Sequence, residues 1–422
     1  MRKVWPIFLA ALLLRIFLSF GPYHPDLGNH LDWGIKFWQL GPKFFYENQF
    51  WQVSWANQPP GTIYVFALSR KIYEMIFAAT WWLNLKIPAF PSFLIPLFQE
   101  KLYAALIKLP AILADLGIAY FIFKFLGKIK DERTGRVGAA IFLFNPVIWY
   151  NSAVWGQTDA WINFFALWAG FLFWRKKPLW GIFIFLASLY FKGSLLILLP
   201  VFLILLWKAE VTWWKKLTVA LTTPIFFAYL SFPFVRWQSP IPWLYHLYRD
   251  RIFGHQGNML TANAFNLWAL LFGIDFSRND LGVSLGLTLK NWGQILFLVT
   301  SVAVLVKLLK QKKENLPMIF WAIALEAVLS FDFLTNMHER YLYPALPYLT
   351  MLLYVVPNLG WLYCSLSLIF FLNLYHLWYV PDVFSLRLLF TPWAVKILAL
   401  ANLSLGLWFF FKFFRFFCSQ KV

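Results

Sequence analysis

The stretch 61-GTIYVFALSRKIYEMIFAATWW-82 decides how this chain is threaded. Its two ends are apolar enough for a membrane span, but Arg70, Lys71 and Glu74 occupy its middle. On insertion scales such residues cost about 2.5–3.5 kcal/mol each at a helix centre. The stretch is therefore expected to be an amphipathic helix lying at a membrane interface, not crossing it. Counting it as a span would reverse the side of every later loop.

The rest of the chain explains why spans are in question at all. Of 422 residues, 61% are hydrophobic and only 13% charged, where a soluble globular chain carries about 25% charged residues. Apolar runs at 4–20, 102–126, 137–152, 156–174, 179–191, 193–207, 217–234, 291–309, 317–335, 341–356, 360–379 and 392–412 approach or reach the length of about 18 residues that reads as a span. The pattern predicts an all-α polytopic membrane protein of about 12 transmembrane helices. The dyad alternation of an outer-membrane barrel is not visible. Ser19-Phe20-Gly21 makes a poor cleavage site, so the first helix is expected to stay.

Charge orients the bundle. The net charge is +19, and the cations gather in four short clusters: Lys128, Lys130, Arg133 and Arg136; Arg175, Lys176 and Lys177; Lys208, Lys215 and Lys216; Lys310, Lys312 and Lys313. With 61–82 left out of the count, all four fall on the same side as Arg2, Lys3, Lys412 and Arg415, the cytoplasmic side by the positive-inside rule. Such scattered clusters do not suit nucleic acid. Cys364 and Cys418 predict neither a disulfide framework nor a zinc site. One domain, 1–422, follows, with a first external loop at 21–101 carrying interfacial helices and a second large one at 235–290.

That topology sends 23-YHPDLGNHLDW-33, 57-NQPPGTIY-64, 151-NSAVWGQTDAW-161, 190-YFKGS-194, 249-RDRIFGHQGNMLTANAFNLW-268 and 335-TNMHERYLYPALP-347 to the opposite, external face. The set holds the carboxylates Asp26, Asp32, Asp159 and Glu339, and the cations Lys192, Arg249, Arg251 and Arg340 with His338. A carboxylate can take the proton of an attacking hydroxyl, and cations can neutralise a departing phosphate. No P-loop, dinucleotide fingerprint or zinc-binding H-E-x-x-H is present, so no nucleotide, metal or other cofactor is demanded. Plainer roles are open to each group. Asp26 could cap a loop helix, Thr158 or Asp159 could start one, and His338-Glu339-Arg340 could be an interfacial ion-pair cluster. Asp32, one turn on from Asp26, reads as a solvated face residue. Lys192 stands between two short apolar runs, where an ionisable group is functional by default.

In order along the chain, these motifs resemble those of GT-C fold glycosyltransferases that use polyprenyl- or dolichyl-phosphate sugars, and in particular the dolichyl-phosphate-glucose glucosyltransferases of asparagine-linked glycosylation and their prokaryotic relatives, including predicted mannosyltransferases. Asp26 and Trp33 have the family's spacing of an acidic residue seven before a Trp. QPPGTIY at 58–64 is similar to its YPPLTAY turn, 191-FKGS-194 to FKQM, Arg251-Ile252-Phe253 followed by 265-FNLW-268 to RLF…ANFW, and 337-MHERYLYPALP-347 to VHEKSILLPLLP. Asn57-Gln58 and Gly257 depart from the family's charged residues at those places. The resemblance implies a GT-C bundle and an inverting, metal-independent hexosyl transfer, of mannose or glucose, from a polyprenyl-phosphate-linked donor to a glycan or glycolipid acceptor. It implies Asp26 as general base, Lys192, Arg251, His338 and Arg340 near the donor phosphate, and Asp32, Trp33, Gln157, Asp159 and Glu339 as support of the substrate site. It also implies a prokaryotic cytoplasmic membrane with the active face outside. A transporter or flippase of lipid-linked sugars is the competing expectation; it would line charge along the spans near the midplane.

Overall fold

The computed structural model describes residues 4–254, 257–311 and 315–419, with side chains through Phe416. Arg2, Lys3, Lys312, Lys313 and the side chain of Cys418 lie outside the described residues. The strands among them are confined to one antiparallel hairpin, Val283–Ser284 with Leu287–Thr288. The helices of eight residues or more are α1 (Trp5–Ser19), α2 (Asp26–Leu40), α3 (Pro60–Lys86), α4 (Tyr103–Ile129), α5 (Glu132–Leu143), α6 (Asp159–Trp174), α7 (Pro178–Phe191), α8 (Leu199–Lys208), α9 (Trp213–Leu230), α10 (Leu289–Lys310), α11 (Leu316–Phe333), α12 (Ala345–Leu352), α13 (Gly360–Tyr375) and α14 (Pro392–Ser419).

The protein is all-α and membrane-embedded. Leu94–Ile129, Leu289–Lys310, Leu316–Phe333 and Pro392–Phe416 are long and apolar enough to cross a bilayer. α5 together with Pro146–Trp155, bent by 51°, meets the same length and composition as a pair, in the shape of a broken span or a re-entrant loop. The bend falls at Asn145-Pro146, where the proline interrupts the helical hydrogen bonding. The Asn145 side chain accepts the Val147 N–H at 3.0 Å and donates to the Tyr363 and Ser367 hydroxyls at 2.9 and 2.8 Å, so the break is tied to α13. The apolar helices Trp5–Ser19, Pro178–Phe191, Gly193–Lys208 and Gly360–Tyr375 are shorter. The expected run 341–356 yields only a 3-10 turn at Glu339–Leu342 and the eight-residue α12.

The 61–82 stretch lies within α3, a 27-residue helix that is not among the apolar candidates for crossing. Its central charges answer one another: Arg70 reaches Glu74 at 2.9 Å and Lys71 reaches it at 3.3 Å. Ile63, Phe66, Ala67 and Tyr73 face inward, while Leu68, Met75, Trp81 and Trp82 are exposed.

The chain zigzags between two ends. α6 runs from Asp159 to the Arg175–Lys177 cluster, α7 returns to Lys192, and α8 goes back to Lys208. Each leg spans roughly 20 Å at 1.5 Å per residue. The Lys208 ammonium donates to the Leu308 and Gln311 carbonyls at 2.5 and 2.6 Å, which brings the second, third and fourth basic clusters together. Lys128 of the first cluster lies over the Trp174 ring at 4.5 Å. Trp180, Trp207, Trp213 and Trp214 are exposed around this basic end, as an aromatic belt at a membrane–water boundary would be.

Between the ends, one ion pair among the described residues is fully buried. Arg15 of α1 meets Asp115 of α4 at 3.1 Å, both without solvent exposure. Asp115 also accepts the Ser152 hydroxyl at 2.6 Å and the Tyr343 hydroxyl at 2.8 Å. Arg15 gives its remaining bonds to the Ala11 and Leu143 carbonyls at 3.2 and 2.8 Å. A charge in the low-dielectric interior is tolerated when it is paired and its hydrogen bonds are filled in this way.

Candidate active site

α2 opens on Asp26, immediately after Pro25, which holds the N-cap position. The Asp26 carboxylate bonds to other elements of the chain. It accepts the Gln157 amide at 2.9 Å and lies 3.3 Å from Arg340. Gln157 is delivered by a six-residue π-helix, Tyr150–Trp155, that ends in the left-handed Gly156 (φ 78°). A side chain at Gly156 would meet Leu27 Cδ1 at 2.7 Å, so glycine is needed both for the turn and for its close approach behind Asp26. Arg340 comes from the 3-10 turn after α11 and is shared with Glu339 at 3.0 Å.

His24 fixes the other side of Asp26. Its Nδ1 accepts the Asp26 backbone N–H at 3.0 Å. Its ring is held between Trp155 and Trp378, at centroid distances of 4.1 and 4.2 Å. Burial pulls its pKa down to about 4, so at neutral pH it is the uncharged, accepting tautomer. Burial likewise pulls His30 and His338 down to about 3. For Asp26, burial is the largest single influence and pushes the pKa up, but the surrounding charges, Arg340 first among them, together outweigh it and hold the carboxyl below the ordinary range. Glu339, wholly buried, is raised to about 7 by burial against the pull of Arg340.

A second pair lies alongside. The Lys192 ammonium donates to Asp159 at 2.8 Å, and both are nearly buried. Burial lowers the Lys192 pKa, and Asp159 opposes that shift. The Thr62 hydroxyl, in the QPPGTIY turn, bonds to the Phe191 carbonyl beside Lys192. A side chain at Gly61 would strike the Tyr190 carbonyl at 2.9 Å. The segment 260–263 runs along Met337-His338, with the Ala262 N–H on the Met337 carbonyl at 3.1 Å.

The sequence-expected residues thus divide. Asp26 touches both Gln157 and Arg340, Arg340 touches Glu339 and Lys192 touches Asp159, and the charges of Asp26, His338, Arg340 and Lys192 act on each other. Arg251 stands to one side, over the Trp55 ring at 5.9 Å in a shallow external pocket, while Ile252 and Phe253 pack on Gly193. Asp32 is corrected: it is 2% exposed, not solvated, because the first loop folds back and gives its carboxylate the Gln52 N–H at 3.0 Å. Trp33 is buried, with its indole N–H on the Ser54 carbonyl at 2.9 Å. Thr158 is the N-cap of α6 without a side-chain cap bond. Sequence reasoning missed Trp378 and the sandwich of His24. Trp378 is one tryptophan among 25 and lies 354 residues beyond His24, so nothing local marks it.

A cavity of about 650 Å³ begins at this cluster. Of the ion pairs described above only Asp159 lines it, beside Asn163 and Tyr341; Asn258, Asp280, Lys290, Gln294 and Asn336 add polar lining, and Leu196, Pro200, Phe297, Leu298, Val302 and Leu305 form an apolar stretch between the 3-10 turn Gly193–Leu198 with α8 and the half-exposed α10. No protein-family model matches the chain, and no curated protein matches it.

The arrangement therefore holds the Asp26 carboxylate against Arg340, with the Lys192–Asp159 pair alongside and a cavity that opens from Asp159. Neither Asp26 nor Lys192 is at a helix centre; both sit at helix ends on the face opposite the basic clusters.

Proposed function

We propose that the chain is a membrane glycosyltransferase of GT-C type, built on about 12 transmembrane helices, that moves a hexose, mannose or glucose, from a polyprenyl-phosphate-linked donor to a hydroxyl of a lipid-linked glycan or other extracytoplasmic acceptor. The observation that carries the reading is the cluster of Asp26 with Arg340 and of Lys192 with Asp159, from whose Asp159 a cavity with apolar walls runs toward α8 and α10; the phosphate of an amphiphile would sit by Lys192 and Arg340 and its tail would lie along that cavity. Asp26 is the base. It accepts the proton of the acceptor hydroxyl, whose oxygen bonds to the anomeric carbon on the face opposite the phosphate. The carbon–oxygen bond to the lipid phosphate breaks, and the electron pair leaves with that phosphate, met by Lys192 and Arg340. Because Arg340 holds the Asp26 pKa down, a donor phosphate that draws Arg340 to itself raises the basicity of Asp26 at the moment it is needed.

The second reading, a transporter or flippase, draws on the ionisable residues inside the helices: Arg15, Lys108, Asp115, Glu326 and Asp332, all without solvent exposure. Each has a local partner, Lys108 on the Ser19 carbonyl at 3.0 Å, Glu326 with Ser301 at 2.7 Å and Asp332 with Asn402 at 2.7 Å.

The deciding experiment uses purified protein in vesicles with polyprenyl-phosphate mannose or glucose, and mass spectrometry of the donor consumed. Asn keeps the Asp26 hydrogen bond to Gln157 but cannot take a proton, so Asp26→Asn should lose about 10²–10⁴-fold in rate while still binding donor. Asp32→Asn should be milder. A near-normal rate for Asp26→Asn with an inactive Asp32→Asn would move the base to Asp32, and activity in both would favour the transporter.

A further inference from the structure

At the basic end, away from every residue discussed above as catalytic, α4 and α6 leave a cavity of about 430 Å³ between them. Lys124 and Lys128 stand one turn apart on α4, and Arg175 closes α6. Phe121, Trp168 and Leu172 form its apolar wall. All three cations are exposed. Each lies over an aromatic ring instead of a carboxylate: Lys124 over Tyr120 at 5.4 Å, and Lys128 and Arg175 over Trp174 at 4.5 and 5.8 Å. The acids nearest in sequence are engaged elsewhere. Asp131 caps α5 through Thr134, and Glu132 pairs with Arg136 at 3.7 Å.

We propose that this groove is a binding site for an anionic glycerophospholipid of the bilayer, with the phosphodiester between Lys124, Lys128 and Arg175 and an acyl chain against Phe121, Trp168 and Leu172. Three cations without a counter-charge fit a headgroup of net negative charge and oppose a zwitterionic one, whose ammonium they would repel. The apolar wall descends from them along two helices, as an acyl chain does from its headgroup. The cation-on-ring contacts hold the long side chains at the rim, so less ordering is left for the ligand to impose. The site does not depend on the glycosyltransferase reading, and it lies at the other end of α6 from Asp159.

The test is lipid retention by the whole chain. Protein in nanodiscs of nine parts phosphatidylcholine to one part phosphatidylglycerol is released into mild detergent, and bound lipid is read by native mass spectrometry and by the shift in thermal midpoint on adding each lipid back. Wild type should retain phosphatidylglycerol selectively. Lys124→Gln/Lys128→Gln/Arg175→Gln should weaken that retention on the order of a hundredfold, whereas Lys177→Gln/Lys215→Gln/Lys216→Gln, also at this end, should retain it. If the triple variant does not fold, Lys128→Gln alone should show a partial loss. Equal retention of the two lipids, loss in both triple variants alike, or the same thermal shift from inorganic phosphate alone would overturn the proposal.

Discussion

Neutralising Asp115 is the perturbation whose outcome follows most directly from the packing. Asp115→Asn keeps the shape of the side chain but leaves the Arg15 guanidinium, wholly buried, without a counter-charge. Removing one partner of a buried pair costs about 3–5 kcal/mol. Asn also turns an amide N–H toward one of the two hydroxyl donors, Ser152 or Tyr343, that the carboxylate accepts, so the upper part of that range is expected. Arg15→Met/Asp115→Leu removes both charges and leaves only neutral groups to re-pair, at about 1–3 kcal/mol. The double variant should therefore be more stable than Asp115→Asn, and its loss should be smaller than the losses of Arg15→Met and Asp115→Leu added together. The assay is the apparent melting midpoint in detergent, read from the monodisperse peak that survives heating. Asp115→Asn melting with wild type, or the double variant losing as much as the two singles combined, would refute the view that the pair is held together by mutual neutralisation.

Gly156→Ala should lose about 1–2 kcal/mol from the left-handed backbone alone and lose donor consumption more steeply, because its methyl group would push Leu27 and with it the Asp26–Gln157 contact of 2.9 Å; melting and turnover measured on one preparation check both. Stability should also depend on pH with a definite sign. His24, His30 and His338 have folded pKa values lowered to about 4, 3 and 3, so between these values and about 6.5 the unfolded chain binds more protons and stability rises with pH. Glu339, raised to about 7, acts in the opposite direction between about 4.5 and 7. The three histidines outnumber it, so the melting midpoint should climb from about pH 4.5 to 6.5; a midpoint that falls across this window contradicts the assignment of neutral buried histidines.

The two-ended arrangement was legible because charge at helix ends is information carried by single residues in a row, and Lys128, Arg175 and Lys208 each mark an end without reference to anything distant. The shortness of α12 was less visible. A hydropathy sum over 341–356 ignores Pro344 and Pro347, which favour the 3-10 turn and a late helix start. In the site, Asp26 could be singled out from its place after the first apolar run and its spacing to Trp33. Gln157 could be noticed as part of a motif, but its contact with Asp26 spans 131 positions and depends on the left-handed turn at Gly156. Asp32 was misread for the same reason: its partner is the backbone of Gln52, and a backbone N–H has no signature in the sequence.

The short legs of the zigzag bear on the bilayer itself. α7 has 14 residues and rises about 21 Å, against a hydrocarbon core of about 30 Å. A lipid sheet crossed by such a helix would be mismatched by several ångströms, and would thin or let water in at a helix end such as the one where Lys192 and Asp159 stand. An aqueous boundary that dips toward the charged cluster in this way would let polar and greasy parts of one molecule reach the same depth in the protein without either leaving its own medium.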